Sequence, residues 1–259
     1  MIAQSGAARL PVWIDGDGPP IVLVHAGVAD HRMWDPLVAL LAPRHRVVRY
    51  DLRGFGKCPF PPEEFSASDD LAAVLDAAGV DTAAIVGASY GGRVALQLAI
   101  ERPERVSALT LLAAALPDHE WSAHVRAAWT EEEAAVEGGD LDAAAHANMR
   151  AWLVGPRRGT DDVDPALRAL VEDMARRALA NDLAGYVEER KANPPLGDRL
   201  GAVQAPTVVA DGALDFGDFA VIADRLAAGI AGARRVTIGG AAHLPALERP
   251  DEVARVLNR

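Results

Sequence analysis

Six short runs in this chain are built to lie inside a sheet, and stretches of helical character separate most of them. The runs are IVLVHAG (21–27), RVVRYD (46–51), TAAIVGA (82–88), VSALTLLAA (106–114), PTVVADG (206–212) and RRVTIGG (234–240). The first is β-branched without polar alternation, as a strand covered on both faces requires. Strand and helix in turn predict an α/β fold: a mostly parallel central sheet with helices on both faces.

The connecting segments fit this order. An opening strand pair is expected around Leu10 to Asp15, followed by the turn DGDGPP. MWDPLVALLA (33–42) has apolar residues on one face and is expected to be helical, with Pro36 tolerable in the first turn. SASDDLAAVLDAAG (66–79) has Ser66 as an N-cap, acids at Asp69 and Asp70, and Gly79 past its end. Arg53-Gly54-Phe55-Gly56 reads as a tight loop, and ERPDEVARVLNR as a final helix.

From Pro117 to about Val203 the rhythm lapses into helical sequence rich in alanine, glutamate and arginine, broken at Gly138-Gly139, Gly155-Pro156 and Pro194-Pro195. This is expected to be a helical insertion of residues 117–203, placed after strand six in a core of residues 1–116 and 204–259. A chain of 259 residues suits one such domain.

Charge excludes some functions. The formal net charge of −11 disfavours nucleic-acid binding, which begins with a basic surface. Cys58, the single cysteine, leaves no internal disulfide and no cysteine-rich metal site. No basic segment leads into a long apolar stretch at the start, and no apolar run approaches the roughly 20 residues of a membrane span. A cytoplasmic protein without membrane association is the expectation.

The segment GASYGG (87–92) joins a strand to a helix. Its serine, Ser89, could simply cap the helix. It could also be a nucleophile held above the strand end by a turn that small residues make possible. A serine hydroxyl needs a base to take its proton and a third group to hold that base. GALD (212–215) places Asp215 after one strand, and GGAAHLP (239–245) places His243 after the next. In a parallel sheet all three emerge at the carboxyl edge. Asp218 and Asp118 are the competing acids.

The order Ser89, Asp215, His243, each behind its own strand, resembles the α/β-hydrolase fold superfamily, whose serine hydrolases carry a helical cap. VHAGVADHRMWD, DLRGFGKCPF and AAHLPALERPDEV are similar to its segments after strands three and four and at the chain end. The resemblance implies that Ser89 attacks a carbonyl carbon, that His243 passes its proton to the leaving group, and that Asp215 fixes the imidazole. It implies an oxyanion hole from the amides of Gly27 and Tyr90, with Val28 the next candidate, each donor worth about 3–4 kcal/mol. Many relatives read His-Gly-x after strand three; here Ala26 intervenes between His25 and Gly27. His25 is expected to support this loop through hydrogen bonds.

Val28, Phe55, Trp121, Trp129 and Trp152 are assigned to the substrate pocket; the alternative for the tryptophans is packing of cap on core. His119, His124 and His146 have no metal-ligand pattern, and Glu131 to Glu133 read as a solvated helix start. No metal and no organic cofactor is expected, since no glycine-rich segment follows a strand in the dinucleotide pattern. The expected activity is hydrolysis of a small carboxylic ester, thioester or lactone through an acyl-serine. The alternatives are carbon–carbon bond hydrolysis, cofactor-free haloperoxidase or perhydrolase activity with the same triad, and a small-molecule receptor.

Overall fold

In the computed structural model, which describes residues 1–61 and 63–257, the predicted runs assemble into one eight-stranded sheet. Its strands are β1 (Ile2–Ser5), β2 (Ala8–Asp15), β3 (Pro20–Val24), β4 (Arg46–Tyr50), β5 (Ala83–Ala88), β6 (Val106–Leu112), β7 (Thr207–Gly212) and β8 (Arg234–Ile238). Their spatial order is β1-β2-β4-β3-β5-β6-β7-β8. The β1–β2 and β2–β4 pairs are antiparallel and every other pair is parallel. The opening strand pair therefore starts at Ile2, ahead of its expected position.

Parallel pairing needs crossovers, and helices supply them: α1 (Asp35–Leu41), α2 (Ala67–Ala77) and α3 (Tyr90–Glu101) in the first half. After β7 come α7 (Gly217–Gly229), then α8 (Pro245–Glu248) and α9 (Pro250–Leu257) beyond β8. The final helix is described to Leu257; Asn258 and Arg259, which the sequence expectation included, lie outside the described residues. A 3₁₀ turn at His31–Trp34 precedes α1, so the helix expected from Met33 begins at Asp35, with Pro36 in its first turn. The α2 signals act as expected: Ser66 Oγ accepts from the Asp69 amide at 3.3 Å, and Gly79 takes φ 65°.

Successive strand residues serve opposite faces. Val22, Val24 and Ile85 join a core with Leu71, Leu75, Val94 and Leu98 of α2 and α3. Ile21, Leu23 and Val86 join another with Leu37 and Leu41 of α1 and Val253 of α9. Both faces of the central strands are thus covered, which is why their sequence lacks polar alternation. Each such buried aliphatic side chain contributes about 1.5–3 kcal/mol.

Between β6 and β7 lie α4 (Ala123–Glu137), α5 (Leu141–Met149) and α6 (Pro165–Gly185), with Gly138 and Gly139 dividing α4 from α5. A π-helical turn over Arg150–Val154 continues α5 and stops at Gly155, φ 77°. Burial is sparse in α4, with Val125, and in α6, with Val171, Met174 and Ala175, whereas α5 buries Ala144, Ala145, Ala147, Asn148 and Met149. Polar ties add to it, from Arg32 Nη1 to Asp173 Oδ2 (2.7 Å) and from Asn181 Nδ2 to the Gly54 carbonyl (3.2 Å). The run Glu131–Glu133 does not start a helix. Ser122 caps α4, accepting from the Val125 amide at 3.4 Å, and the acids fall in the helix's second half. Among the described residues no helix is long and apolar enough to cross a membrane.

Candidate active site

Ser89 stands between β5 and α3 at φ 50° and ψ −114°, a conformation that costs a non-glycine residue about 1–3 kcal/mol. Three backbone hydrogen bonds hold its peptide: Ser89 N–H to Leu112 O (2.9 Å), and Ala115 and Arg93 N–H to Ser89 O (3.0 and 3.1 Å). The turn closes only because its neighbours lack Cβ atoms. A Cβ on Gly91 would sit 2.3 Å from Val24 O and 2.4 Å from His25 O, and one on Gly87 would sit 2.3 Å from Gly91 O. Ser89 occupies the N-cap position of α3 but its side chain makes no capping hydrogen bond. The hydroxyl is not spent on the helix.

His243 and Asp215 arrive from the loops after β8 and β7. His243 Nδ1 lies 2.8 Å from Asp215 Oδ2, and the two side chains are each 1% exposed. An ionised carboxylate only accepts, so Nδ1 is the donor in this contact and Nε2 is the ring nitrogen left to face away from Asp215. Asp215 Oδ1 accepts from the Phe216 amide at 2.8 Å. The competing acids are engaged elsewhere. Asp118 pairs with Arg225, while Asp218 accepts from the amide and hydroxyl of Ser122 (both 2.7 Å) and lies 3.2 Å from His119 Nε2. The histidine loop is braced twice more. The His243 amide donates to the Trp152 carbonyl (3.2 Å), and Glu248, paired with Arg158, accepts from the Ala242 amide (2.9 Å).

The loop after β3 is held by His25. Its buried ring donates from Nδ1 to Ala26 O (2.8 Å) and accepts at Nε2 from the Leu52 amide (3.0 Å). Burial lowers the pKa of His25, outweighing the pull of Asp51, and keeps the ring neutral as both hydrogen bonds require. Neither Gly27 nor Val28 has an acceptor for its amide among the described residues, so the loop offers two adjacent donors. A Cβ on Gly27 would lie 3.2 Å from Tyr90 Cβ, which brings this loop against the first residue of α3.

Ser89 and His243 line a cavity of about 210 Å³, with Gly27, Val28, Trp121, Trp129 and Trp152. Phe55 and the Tyr90 ring instead border a second cavity of about 250 Å³, which shares Gly27, Val28, Glu132 and Asn148 with the first. Every sequence-assigned site residue therefore borders one of the two except Asp215, which sits behind His243. Tyr90 Oη donates to Glu189 Oε2 (2.9 Å), and the Arg93 guanidinium lies 4.5 Å from the Tyr90 ring centre.

Sequence reasoning missed Glu132, Asn148, Phe219 and Glu189. Phe219 packs against the His243 ring, with centres 4.2 Å apart. Glu132 lies seven residues after buried Val125 and three after Trp129, a helical spacing that marks the inward face of α4. Asp30, His31 and Asp51 bring ligand-type atoms within 4.8 Å of one another. Those atoms are committed already: Asp30 to Arg32, and Asp51 to the His31 ring and to the His31 and Lys57 amides. His119 and His146 face Asp218 and Glu172.

Comparison with known proteins agrees with this architecture. The profile of the alpha/beta hydrolase fold matches residues 19–250. A putative carbamate hydrolase of Azorhizobium caulinodans is 38% identical over 42% of this chain, a match spanning 43% of that protein. The strigolactone esterase of Arabidopsis thaliana is 29% identical over 96% of the chain and 95% of its own length. The enol-lactonase of Burkholderia xenovorans superposes with a TM-score of 0.81 at 25% identity, covering 100% of this chain and 98% of that one. With the profile spanning most of its length, this chain is a hydrolase and belongs to the alpha/beta hydrolase fold family.

Proposed function

We propose that this hydrolase cleaves a small carboxylic ester, thioester or lactone through an acyl intermediate on Ser89. The observation that carries the reading is the pairing of buried His243 with Asp215 behind a cavity that Ser89 also lines. In this mechanism His243 Nε2 takes the Ser89 proton as Oγ attacks the carbonyl carbon, and the imidazolium is stabilised by Asp215. The oxyanion is met by the Tyr90 amide and by Gly27 or Val28. His243 returns the proton to the departing alcohol, thiol or ring oxygen. Water, activated by the same ring, then frees the acid.

The helices of residues 117–203 serve as a cap over a core of residues 1–116 and 204–259, and Val28, Phe55 and the three tryptophans contact substrate. A small-molecule substrate and a cytoplasmic setting belong to the same reading. The relatives named above, an esterase, a lactonase and a carbamate hydrolase, support acyl transfer as the reaction class. The cavity volume of about 210 Å³ beside Ser89 supports a compact group there.

Fluorophosphonate labelling tests the nucleophile. The protein reacts at one serine, and Ser89→Ala abolishes both labelling and turnover of short-chain activated esters, a rate loss of about 10⁴ or more. Labelling that persists in Ser89→Ala moves the nucleophile elsewhere. Saturation after one equivalent of product would instead favour a receptor.

A further inference from the structure

Where the two cavities meet, Glu132 of α4 and Asn148 of α5 face each other. Asn148 Nδ2 donates to Glu132 Oε2 at 2.6 Å. Asn148 is buried, at 6% exposure, and its Oδ1 has no hydrogen-bond partner. With Glu132 ionised, turning the amide over would set two acceptors against each other, which leaves Oδ1 as the unmet acceptor.

Glu132 also lacks a counter-ion. Among the described residues no lysine, arginine or histidine reaches it, although its neighbour Glu131 has Arg150 at 3.0 Å and Glu189 has Arg93. Burial raises the pKa of Glu132, and Glu133 and Asp182 add to the rise against the Asn148 hydrogen bond. A half-buried carboxylate kept without a cation beside an unmet acceptor is costly unless something arrives to pair with both.

The surrounding wall suits a cation. Trp121 and Trp129 stand edge to face at 5.2 Å between ring centres, and Trp129 and Trp152 are 6.5 Å apart, all lining the Ser89 cavity with Glu132. Indole faces attract ammonium groups, most strongly where water is excluded. The chain's net charge of −11 draws cations toward it and turns anions away.

We propose that this junction selects substrates bearing an ammonium group, received by Glu132 and the Asn148 carbonyl inside the tryptophan wall, and rejects substrates bearing a carboxylate. The inference rests on the reading of the site as an ester and lactone hydrolase.

Its test reads binding rather than turnover, so it stays separate from the fate of the serine mechanism. Ser89→Ala protein is titrated by calorimetry with three amides of equal length that end in ammonium, methyl or carboxylate. The ammonium member binds about tenfold tighter than the methyl member and the carboxylate member about tenfold weaker. In Ser89→Ala/Glu132→Gln the ammonium-to-methyl ratio falls to near one. Equal binding of the three, or an order that survives Glu132→Gln, overturns the proposal. Loss of fluorophosphonate labelling specificity would overturn the serine reading alone.

Discussion

The turn that carries Ser89 and the helices that roof it are held in place by different physics. Around the turn, backbone presses on backbone: Gly87 and Gly91 have carbonyl oxygens where a Cβ would go, and both faces of β5 are filled. The roof is looser. Its longest helix, α6, has 21 residues and buries three of them fully. Ion pairs and hydrogen bonds to Asp218, Arg32 and the Gly54 carbonyl tie the roof down. On the proposed reading, the chemistry has a tightly packed floor, and the choice of substrate falls to the side chains of the ceiling.

Substitutions can break that contrast. The largest effect belongs to Asp215, whose loop grows from the sheet. Asp215→Asn lowers kcat by about 10⁴ by unsettling the imidazole, whereas Asp118→Asn, at the start of the insertion and half-exposed with Arg225, changes it by less than about twofold. Steady-state kinetics of the pair decides the matter, and the reverse order would move the acid to Asp118.

Next come two alanine substitutions that differ only in region. Gly91→Ala forces a Cβ to within 2.4 Å of two carbonyl oxygens and costs about 3 kcal/mol or more in urea unfolding. Gly185→Ala, at the end of α6 with nothing within 4 Å, is neutral or stabilises by up to about 1 kcal/mol. Similar losses at both positions would mean that the roof is as tightly packed as the floor.

The smallest effect concerns the tie at Asp218. Burial opposes ionisation of this carboxyl, but hydrogen bonds from the Ser122 amide, the Ser122 hydroxyl and His119 prevail and hold its pKa below the ordinary value. A lowered folded value means stability that is present above the unfolded pKa near 4 and lost as pH falls through the folded one. Asp218→Asn therefore lowers Tm by about 2–4 °C at pH 7, and the gap to the parent protein closes as pH falls through the lowered folded value. A gap that stays constant with pH would remove the ionised tie from the account.

The sequence revealed the floor far better than the ceiling. Runs such as IVLV and AAIV announce strands because a doubly covered sheet admits little else, and GASYGG announces a sharp turn because larger residues would collide there. Asp215 and His243 were readable from their places after strands. The inward aim of Glu132 was not, since three successive glutamates look solvated unless the phase of the helix is known. Buried Val125 and Trp129 set that phase. The buried pairing of Arg53 with Asp70, at 2.7 Å, left no trace either, because each lies in a segment that reads plausibly as exposed.

The π turn over Arg150–Val154 bears on how such a chain can be rebuilt. Through the Trp152 carbonyl it is stitched by one peptide unit to the loop that presents the imidazole. A chimera that swapped in foreign helices for the whole insertion would leave the His243 amide facing a gap. The transplantable piece is smaller than the insertion: grafts have to join on either side of this turn, which must travel with the sheet.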